Sequence, residues 1–133
     1  MLVYAQGGKD MIDSPSAFHD FEQAGWEKAA SEYDRRFGEL TAQSIAPLLD
    51  SVGAAPGTEL LDVACGPGYV AAAASRRGCS VVGIDFSRAM VDLASELNPE
   101  LEFRFGDAEE LDLPDNSMDA VVMNFGMLHL ARP

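Results

Sequence analysis

The segment from Glu59 to Asp85 constrains the fold more than any other part of the chain, and it reads ELLDVACGPGYVAAAASRRGCSVVGID. Its short apolar run, broken at CGPG, predicts a buried parallel strand that enters a turn where the backbone comes close to a ligand. A helix is predicted over 69–77, with Gly78 as its stop. A second strand is predicted over 80–84, which leaves Asp85 at its carboxyl end. This layout is typical of a nucleotide-binding half-site.

Two carboxylates are expected at one edge of the predicted sheet. Because parallel strands of an open α/β sheet present their carboxyl ends to the same side, Asp62, the glycine turn and Asp85 should border a single crevice. Asp85 is placed to accept both hydroxyls of a ribose, and charge-assisted hydrogen bonds contribute about 1.5–3 kcal/mol each. Alternatively, Asp85 only begins a turn before Ser87. The glycine turn with Gly66 and Gly68 lies between two apolar strands, and Asp85 follows it at the end of the second strand. This position favours the binding role.

Length and charge limit the classes of protein that the chain can represent. The 133 residues, 47% of them apolar and 23% charged, suit one globular domain. A net charge of −13 would repel a phosphate backbone and argues against DNA or RNA as a partner. No apolar stretch reaches the length of a membrane span, and the N-terminus lacks the pattern of a signal peptide. We therefore expect a cytoplasmic protein without a membrane partner.

The cysteines and histidines do not predict a metal or redox site. Cys65 and Cys79 are too few and too far apart for a CxxC motif, and small-residue packing explains both. His19 and His129 are not at ligand spacing from a cysteine or an acidic cluster. We expect no bound metal.

The residues before the βαβ unit predict helices. Apolar and aromatic side chains between 16 and 38 recur at helical spacing, and Gly38 is expected to end that helix. A second helix is predicted over 41–52, with Thr41 as a candidate cap.

These helices divide the chain into two parts. Residues 1–57 are predicted to form an N-terminal helical cap or lid, and residues 58–133 the core. Most side chains of the helices are expected to pack on the sheet. Trp26, Tyr33 and Phe37 are also candidates for a lid over the crevice, where they would meet the substrate.

The chain after Asp85 continues the alternation of helix and strand. Ser87 is a natural N-cap for a helix that runs to Leu97. Alternating apolar residues over 101–105 predict a third strand, and the apolar run over 119–125 predicts a fourth.

Three stretches carry a resemblance to a known family. LLDVACGPG, VVGIDFS and FRFGDAEELDLPDNSMDAVVMNFGMLHL are similar, in order and spacing, to the first four motifs of the class I S-adenosylmethionine-dependent methyltransferases, in the small-molecule branch called methyltransferase type 11. The similarity covers about residues 58–130. The glycine pattern alone also fits an NAD-binding fingerprint. What separates the two families is the added pair Asp62 and Asp107.

The resemblance implies a Rossmann-like, doubly wound parallel sheet, with strand order 3-2-1-4 in the part present, and S-adenosylmethionine as the cofactor. It also assigns the methionine end of that cofactor. Asp62 would orient the amino group, directly or through water, and the backbone from Ala64 to Gly68 would lie against the same moiety. Asn124 and Phe125 would border the methionine and the sulfonium methyl.

The same resemblance assigns the adenosine end. Asp85 would hold the ribose hydroxyls, and Phe86 and Met90 would pack beside the adenine. Asp107 would accept from the exocyclic amine of the adenine, while the backbone of Ala108 would meet the edge of the ring. For Met90 and Phe125, a purely structural place in the core is an open alternative.

The implied reaction is methyl transfer to a small molecule. A sulfonium methyl is already activated, so the protein must hold the acceptor in line and, for an O–H or C–H acceptor, remove a proton. His129, just past the predicted fourth strand, is the candidate base. The segment NFGM stands where enzymes that methylate DNA amines or glutamine amides carry [DN]PP[YFW], which favours a small acceptor.

Members of the family usually continue with a fifth strand, further helices and a reversed pair of strands. We therefore expect the chain to be the N-terminal part of a longer enzyme. If it is the whole protein, the exposed fourth strand favours a homo-oligomer through strand exchange. An NAD-binding oxidoreductase and a non-catalytic cofactor-binding module are the alternative functions.

Overall fold

The computed structural model describes residues 14–133, and the side chains of all of these except 31 and 33–37. Among the described residues, the first three strands alternate with helices, the fourth follows the third without a helix between them, and a short 3₁₀ turn follows the last strand. The elements are α1 (Pro15–Ser51), β1 (Glu59–Val63), α2 (Tyr69–Arg76), β2 (Ser80–Asp85), α3 (Arg88–Leu97), β3 (Glu102–Phe105), β4 (Ala120–Val122) and the 3₁₀ turn (Met127–His129).

The strands form one parallel sheet in the order β3-β2-β1-β4. In its register Asp62 lies between Gly83 on β2 and Val122 on β4. The predicted strand order and the Rossmann-like fold are therefore confirmed. All four strands end at the same edge, which is the edge where the sequence predicts a crevice.

The two faces of the sheet are covered differently. One face, with Leu60, Val81 and Val122, packs against α1 and α2 through residues such as Leu49 and Ala74. Because Leu49 on α1 is completely buried, the C-terminal half of α1 is part of the core.

The opposite face carries Leu61, Val63 and Ile84. It is covered by side chains of the β3–β4 connection and of the residue after β4: Ala108, Leu113, Met118 and Met123. Among the described residues, the helices thus lie on one face of the sheet.

The first predicted boundary in α1 is wrong. Gly38 and Thr41 lie inside one continuous helix of 37 residues and do not separate two helices. A Cβ on Gly38 would lie 3.3 Å from the Tyr69 hydroxyl, so this glycine allows α2 to approach α1. Gly38 therefore serves close packing of the two helices. In the sequence, a glycine that ends a helix looks the same as a glycine that lets another helix come close.

The helix ends of α2 and α3 are confirmed. The Ser87 hydroxyl accepts a hydrogen bond from the Met90 N–H at 3.2 Å and caps α3. Gly78 follows α2 with φ of 86°, the left-handed conformation that glycine adopts without strain. On α3, Met90, Val91 and Ala94 are buried, whereas Leu97 is 48% exposed.

The fourth strand is shorter than predicted. It ends at Val122, and Asn124 and Phe125 lie beyond it. Phe125 has φ of 63°, outside the strand region, so the chain turns away from the sheet there. No helix among the described residues is long and apolar enough to cross a bilayer.

Gly83 on β2 is required by the packing of Phe103. A Cβ at position 83 would lie 2.5 Å from Phe103 Cδ1 and 3.1 Å from Cys65 Sγ. We expect Gly83→Ala to destabilise the fold by about 1–3 kcal/mol, because the ring and the neighbouring strand must shift. Denaturant unfolding monitored by circular dichroism measures this change.

Gly25 provides the matched control. It lies in α1 with nothing within 4 Å of an added Cβ. Gly25→Ala should leave the fold intact and stabilise it by about 0.5–1 kcal/mol through helix propensity. Equal effects of the two substitutions would contradict the packing account.

Candidate functional site

Small cavities line the carboxyl edge of the sheet. The first has a volume of about 70 Å³, and two neighbouring cavities have volumes of about 40 and 20 Å³. They are bordered by the ends of all four strands and by the N-terminal half of α1. Residues predicted for the site that line them are Trp26, Asp62, Ala64, Gly66, Asp85, Phe86, Met90, Asp107, Ala108, Asn124, Phe125 and His129.

Asp85 joins the glycine turn to the end of β2. Its carboxylate accepts the Gly66 N–H at 2.8 Å and the Ser87 N–H at 2.9 Å. Burial raises the pKa of Asp85, and these two hydrogen bonds limit the rise. Since a carboxylate has about four acceptor positions, these hydrogen bonds leave acceptor capacity for a ligand in the adjoining cavities.

Asp62 is completely buried beneath the N-terminus of α2. One oxygen, Oδ2, accepts the Ala71 N–H at 3.1 Å, whereas Oδ1 has no hydrogen-bond partner among the described residues. Burial raises the pKa of Asp62 to about 7, the Ala71 hydrogen bond opposes the rise, and nearby Asp85 adds to it. A buried carboxylate with a free oxygen is costly unless a cation or a donor pairs with it.

The hydroxyl of Tyr69 is a second buried polar atom without a hydrogen-bond partner among the described residues. Tyr69 and Asp62 line the same cavity of about 40 Å³, together with Thr41 and Asn124. The sequence does not single out Tyr69. Its only signal is its place directly after the glycine turn, as the first residue of α2.

The loops after β1 and β4 pack against each other with strained backbones. Ala64 and Phe125 have φ of 55° and 63°. A Cβ on Gly126 would lie 2.6 Å from Ala64 Cβ, so the two loops touch. Non-glycine residues in this conformation cost about 1–3 kcal/mol each and occur often at ligand sites. Phe125 is 54% exposed, which argues against the alternative of a core position.

Met90 has the opposite environment. It is 2% exposed and also lines the largest of the edge cavities. Cys65 is buried in the glycine turn, and burial, with Asp62 and Asp85 nearby, raises the pKa of its thiol well above the usual value. A protonated, buried thiol suits the predicted packing role.

Asp107 follows β3 and contacts α1. Its Oδ1 accepts the Glu109 N–H at 2.9 Å, and its Oδ2 lies 2.9 Å from His19 Nε2. The contact between His19 Nε2 and Asp107 Oδ2 is close but does not have the geometry of a hydrogen bond. The His19 ring also meets Phe86 edge-on, with 5.5 Å between the ring centroids.

The N-terminal half of α1 crosses the crevice. The Gln23 side chain donates to the Phe86 carbonyl at 2.8 Å. The Glu27 carboxylate accepts the Arg88 and Ala89 N–H groups at 2.5 and 3.1 Å, which caps α3. Anions stabilise a helix N-terminus, so this contact anchors α1.

Two of the predicted lid residues lie outside the described side chains. They are Tyr33 and Phe37. The third, Trp26, borders the cavity of about 70 Å³. The sequence missed His19, Glu22 and Gln23, although their spacing from Trp26 is helical and could have identified one face of α1.

Asn124 is held by the middle of α1. Its Oδ1 accepts the Ser44 hydroxyl at 2.8 Å, and its Nδ2 donates to the Thr41 carbonyl at 3.3 Å. The loop after β4 is therefore tied to the same helix that covers the crevice. No cluster of His, Cys, Asp and Glu suitable for a metal ion occurs in the part of the chain that the structure describes.

Comparison with known proteins identifies the family. A model for a methyltransferase domain matches residues 60–133, more than half of the chain. The chain belongs to the methyltransferase domain family. The matched region contains the glycine turn, Asp62 and Asp85.

Two curated methyltransferases are similar in sequence. A demethylmenaquinone methyltransferase from Renibacterium salmoninarum is 40% identical over 86 residues, which is 65% of this chain and 36% of the relative. A ubiquinone biosynthesis O-methyltransferase from Alkalilimnicola ehrlichii is 36% identical over 126 residues, which is 86% of this chain and 51% of the relative. The chain thus spans about a third to a half of the length of these relatives.

A solved structure shares the fold of almost the whole chain. It is a phosphoethanolamine N-methyltransferase from Haemonchus contortus in complex with phosphoethanolamine and S-adenosylhomocysteine. The TM-score is 0.75 at 22% identity, over 96% of this chain and 29% of that one.

The predicted family and its S-adenosylmethionine cofactor are confirmed by the family match, which decides against the NAD-binding alternative.

Asp62 makes the stability of the methyltransferase domain depend on pH. Its pKa of about 7 lies above the ordinary 3.8, so the fold favours the protonated form. Stability from this group is present at low pH and is lost as the pH rises from about 4 to about 7. Since a tenfold change in an ionisation constant is about 1.4 kcal/mol, Asp62→Asn should stabilise the ligand-free chain at pH 8 by up to about 4 kcal/mol.

The gain should shrink at pH 5, where less of the cost of ionisation is present. Urea unfolding at the two pH values measures it. Asp92→Asn, the same change at an exposed position on α3, is the control and should have little effect at either pH. A loss of stability in Asp62→Asn at pH 8 would contradict the buried-charge account.

Proposed function

We propose that this chain carries the cofactor-binding half of an S-adenosylmethionine-dependent methyltransferase that acts on a small molecule. The observation that carries the proposal is the free, buried Oδ1 of Asp62, beside Asp85 and the glycine turn. The ammonium of the cofactor would pair with this oxygen, so the residues present fit the cofactor. When bound, the cofactor supplies a methyl that is already activated on its sulfonium.

The family resemblance implies the remaining contacts, and the strand ends bring their residues to one edge of the sheet. Asp85 would accept the ribose hydroxyls through its open acceptor positions, and Phe86 and Met90 would border the adenine. Asp107 would accept the adenine amine, and the Ala108 backbone would face the ring. His19 lies close to Asp107, so the adenine would share this carboxylate with His19 or displace it.

At the methionine end, the backbone from Ala64 to Gly68 would line the moiety opposite Asn124 and Phe125. An added Cβ on Gly66 meets nothing within 4 Å. The turn therefore leaves open space where the ligand must approach the backbone. Asn124, held by α1, would be fixed in orientation before the cofactor arrives.

We also propose that the N-terminal part of α1 is a lid, within a cap that comprises residues 1–57, over a core that comprises residues 58–133. The support is that Gln23 and Glu27 contact the strand and helix ends around the crevice. With α1 in place, the cavities are much smaller than the 300–1,000 Å³ typical of ligand sites. Entry of the cofactor would require the N-terminal part of α1 to move.

His129 is proposed as the base for an acceptor that carries a proton. It borders two of the cavities; Phe86 also lines both of them, and Phe125 lines one. The names of the similar enzymes support a small organic acceptor, and the net charge of −13 argues against nucleic acid. A cytoplasmic location suits such biosynthetic relatives.

Self-association through β4 is a further proposal about partners. In the described part of the chain β4 pairs only with β1, and Val121 on it is 57% exposed. An apolar edge strand of this kind favours pairing with another chain.

The role of Asp85 predicts a loss of cofactor affinity. In Asp85→Asn one acceptor oxygen becomes a donor, so the carboxamide cannot keep both backbone hydrogen bonds and both ribose contacts. We expect the Kd for S-adenosylhomocysteine, measured by isothermal titration calorimetry, to rise about tenfold or more.

Asp92→Asn is the control for the change in charge and should bind like the wild type. Circular dichroism must show that Asp85→Asn is folded. An unchanged Kd in the folded variant would remove Asp85 from the ribose site, and saturation by NADH instead would favour a different class of cofactor.

A further inference from the structure

We infer that Glu22 is a positioning residue that orients His129 as the base of the proposed methyl transfer. This inference rests on the function proposed above. It concerns a residue on α1 that the sequence does not single out, and it means that the base is complete only when α1 lies across the crevice.

The two side chains form a close pair between distant parts of the chain. His129 Nδ1 lies 2.7 Å from Glu22 Oε2, and the residues are 107 positions apart. The Glu22 side chain is 14% exposed and that of His129 is 31% exposed. The pair is therefore shielded from much of the solvent, which strengthens it relative to a surface pair.

Trp26 holds the same imidazole from a second direction. It lies one helical turn after Glu22 on α1, and its ring meets the His129 ring edge-on, with 4.9 Å between centroids and 83° between planes. The backbone of His129 is fixed as well, because its N–H donates to the Gly126 carbonyl at 3.0 Å. The ring thus has one favoured orientation.

That orientation selects a tautomer. A carboxylate only accepts hydrogen bonds, so Nδ1 carries the proton that it donates to Glu22. The other nitrogen, Nε2, then has its lone pair free, and it makes no hydrogen bond or ion pair among the described residues. The ring borders the cavities beside Phe86 and Phe125, where the acceptor would meet the methyl.

The pair suits an acceptor with an O–H group. The proton of that group passes to Nε2, and the electron pair of the O–H bond forms the new oxygen–carbon bond. The pair of the methyl–sulfur bond stays on sulfur. Glu22 stabilises the imidazolium that results, as a carboxylate does for other catalytic histidines, and the proton then leaves to water.

The test is nitrogen NMR of the histidine rings in the full chain. The sequence contains two histidines, so His19→Gln leaves the His129 signals unambiguous. In this background we expect neutral His129 to be mainly the Nδ1–H tautomer. Glu22→Ala should shift it toward Nε2–H, and Glu22→Gln, which retains an acceptor, should restore Nδ1–H.

Glu39→Ala is the matched control, since Glu39 is an exposed acid on the same helix. It should not change the tautomer. An Nε2–H ring in the parent protein, or an Nδ1–H ring that persists in Glu22→Ala, would overturn the inference.

The NMR result is independent of cofactor binding. Titration of S-adenosylhomocysteine into the same variants separates the two claims. If the parent protein does not bind the cofactor, the proposed function fails while the tautomer still decides the role of Glu22.

Discussion

The buried carboxylate of Asp62 is the interaction on which the rest of the structure depends. It ties the central strand β1 to the N-terminus of α2 through the Ala71 N–H, and it places a free oxygen at the crevice. A core optimised for stability alone would not keep a carboxyl whose pKa burial raises to about 7. A cation at the free oxygen would remove this cost.

The second organising element is α1, which belongs to the core and to the site at once. Its C-terminal half buries Leu49 against the sheet, while its N-terminal half places Glu22 and Trp26 on His129. The N-terminal half borders the cavities and also contacts His129. Movement of that half would therefore open the cavities and separate the Glu22–His129 pair in one step.

The sequence predicted the parts of the fold in which local pattern and tertiary role agree. The strand–turn–helix–strand unit, the Ser87 cap and the strand order follow from apolar runs, glycines and family motifs between 59 and 125. The sequence did not predict α1 correctly, because Gly38 carries the same signal whether it stops a helix or allows Tyr69 to approach. It also missed His19, Glu22 and Gln23 on α1, since their contacts span long sequence distances that no local pattern encodes.

The most direct test of the account is the proton balance of cofactor binding. S-adenosylhomocysteine is titrated into the chain at pH 7 in two buffers of different ionisation enthalpy. If its ammonium pairs with Asp62, the pKa of that carboxyl falls from about 7, and binding releases about half a proton, which makes the observed enthalpy depend on the buffer. Binding with the same enthalpy in both buffers, or no binding at all, would contradict the central role of Asp62.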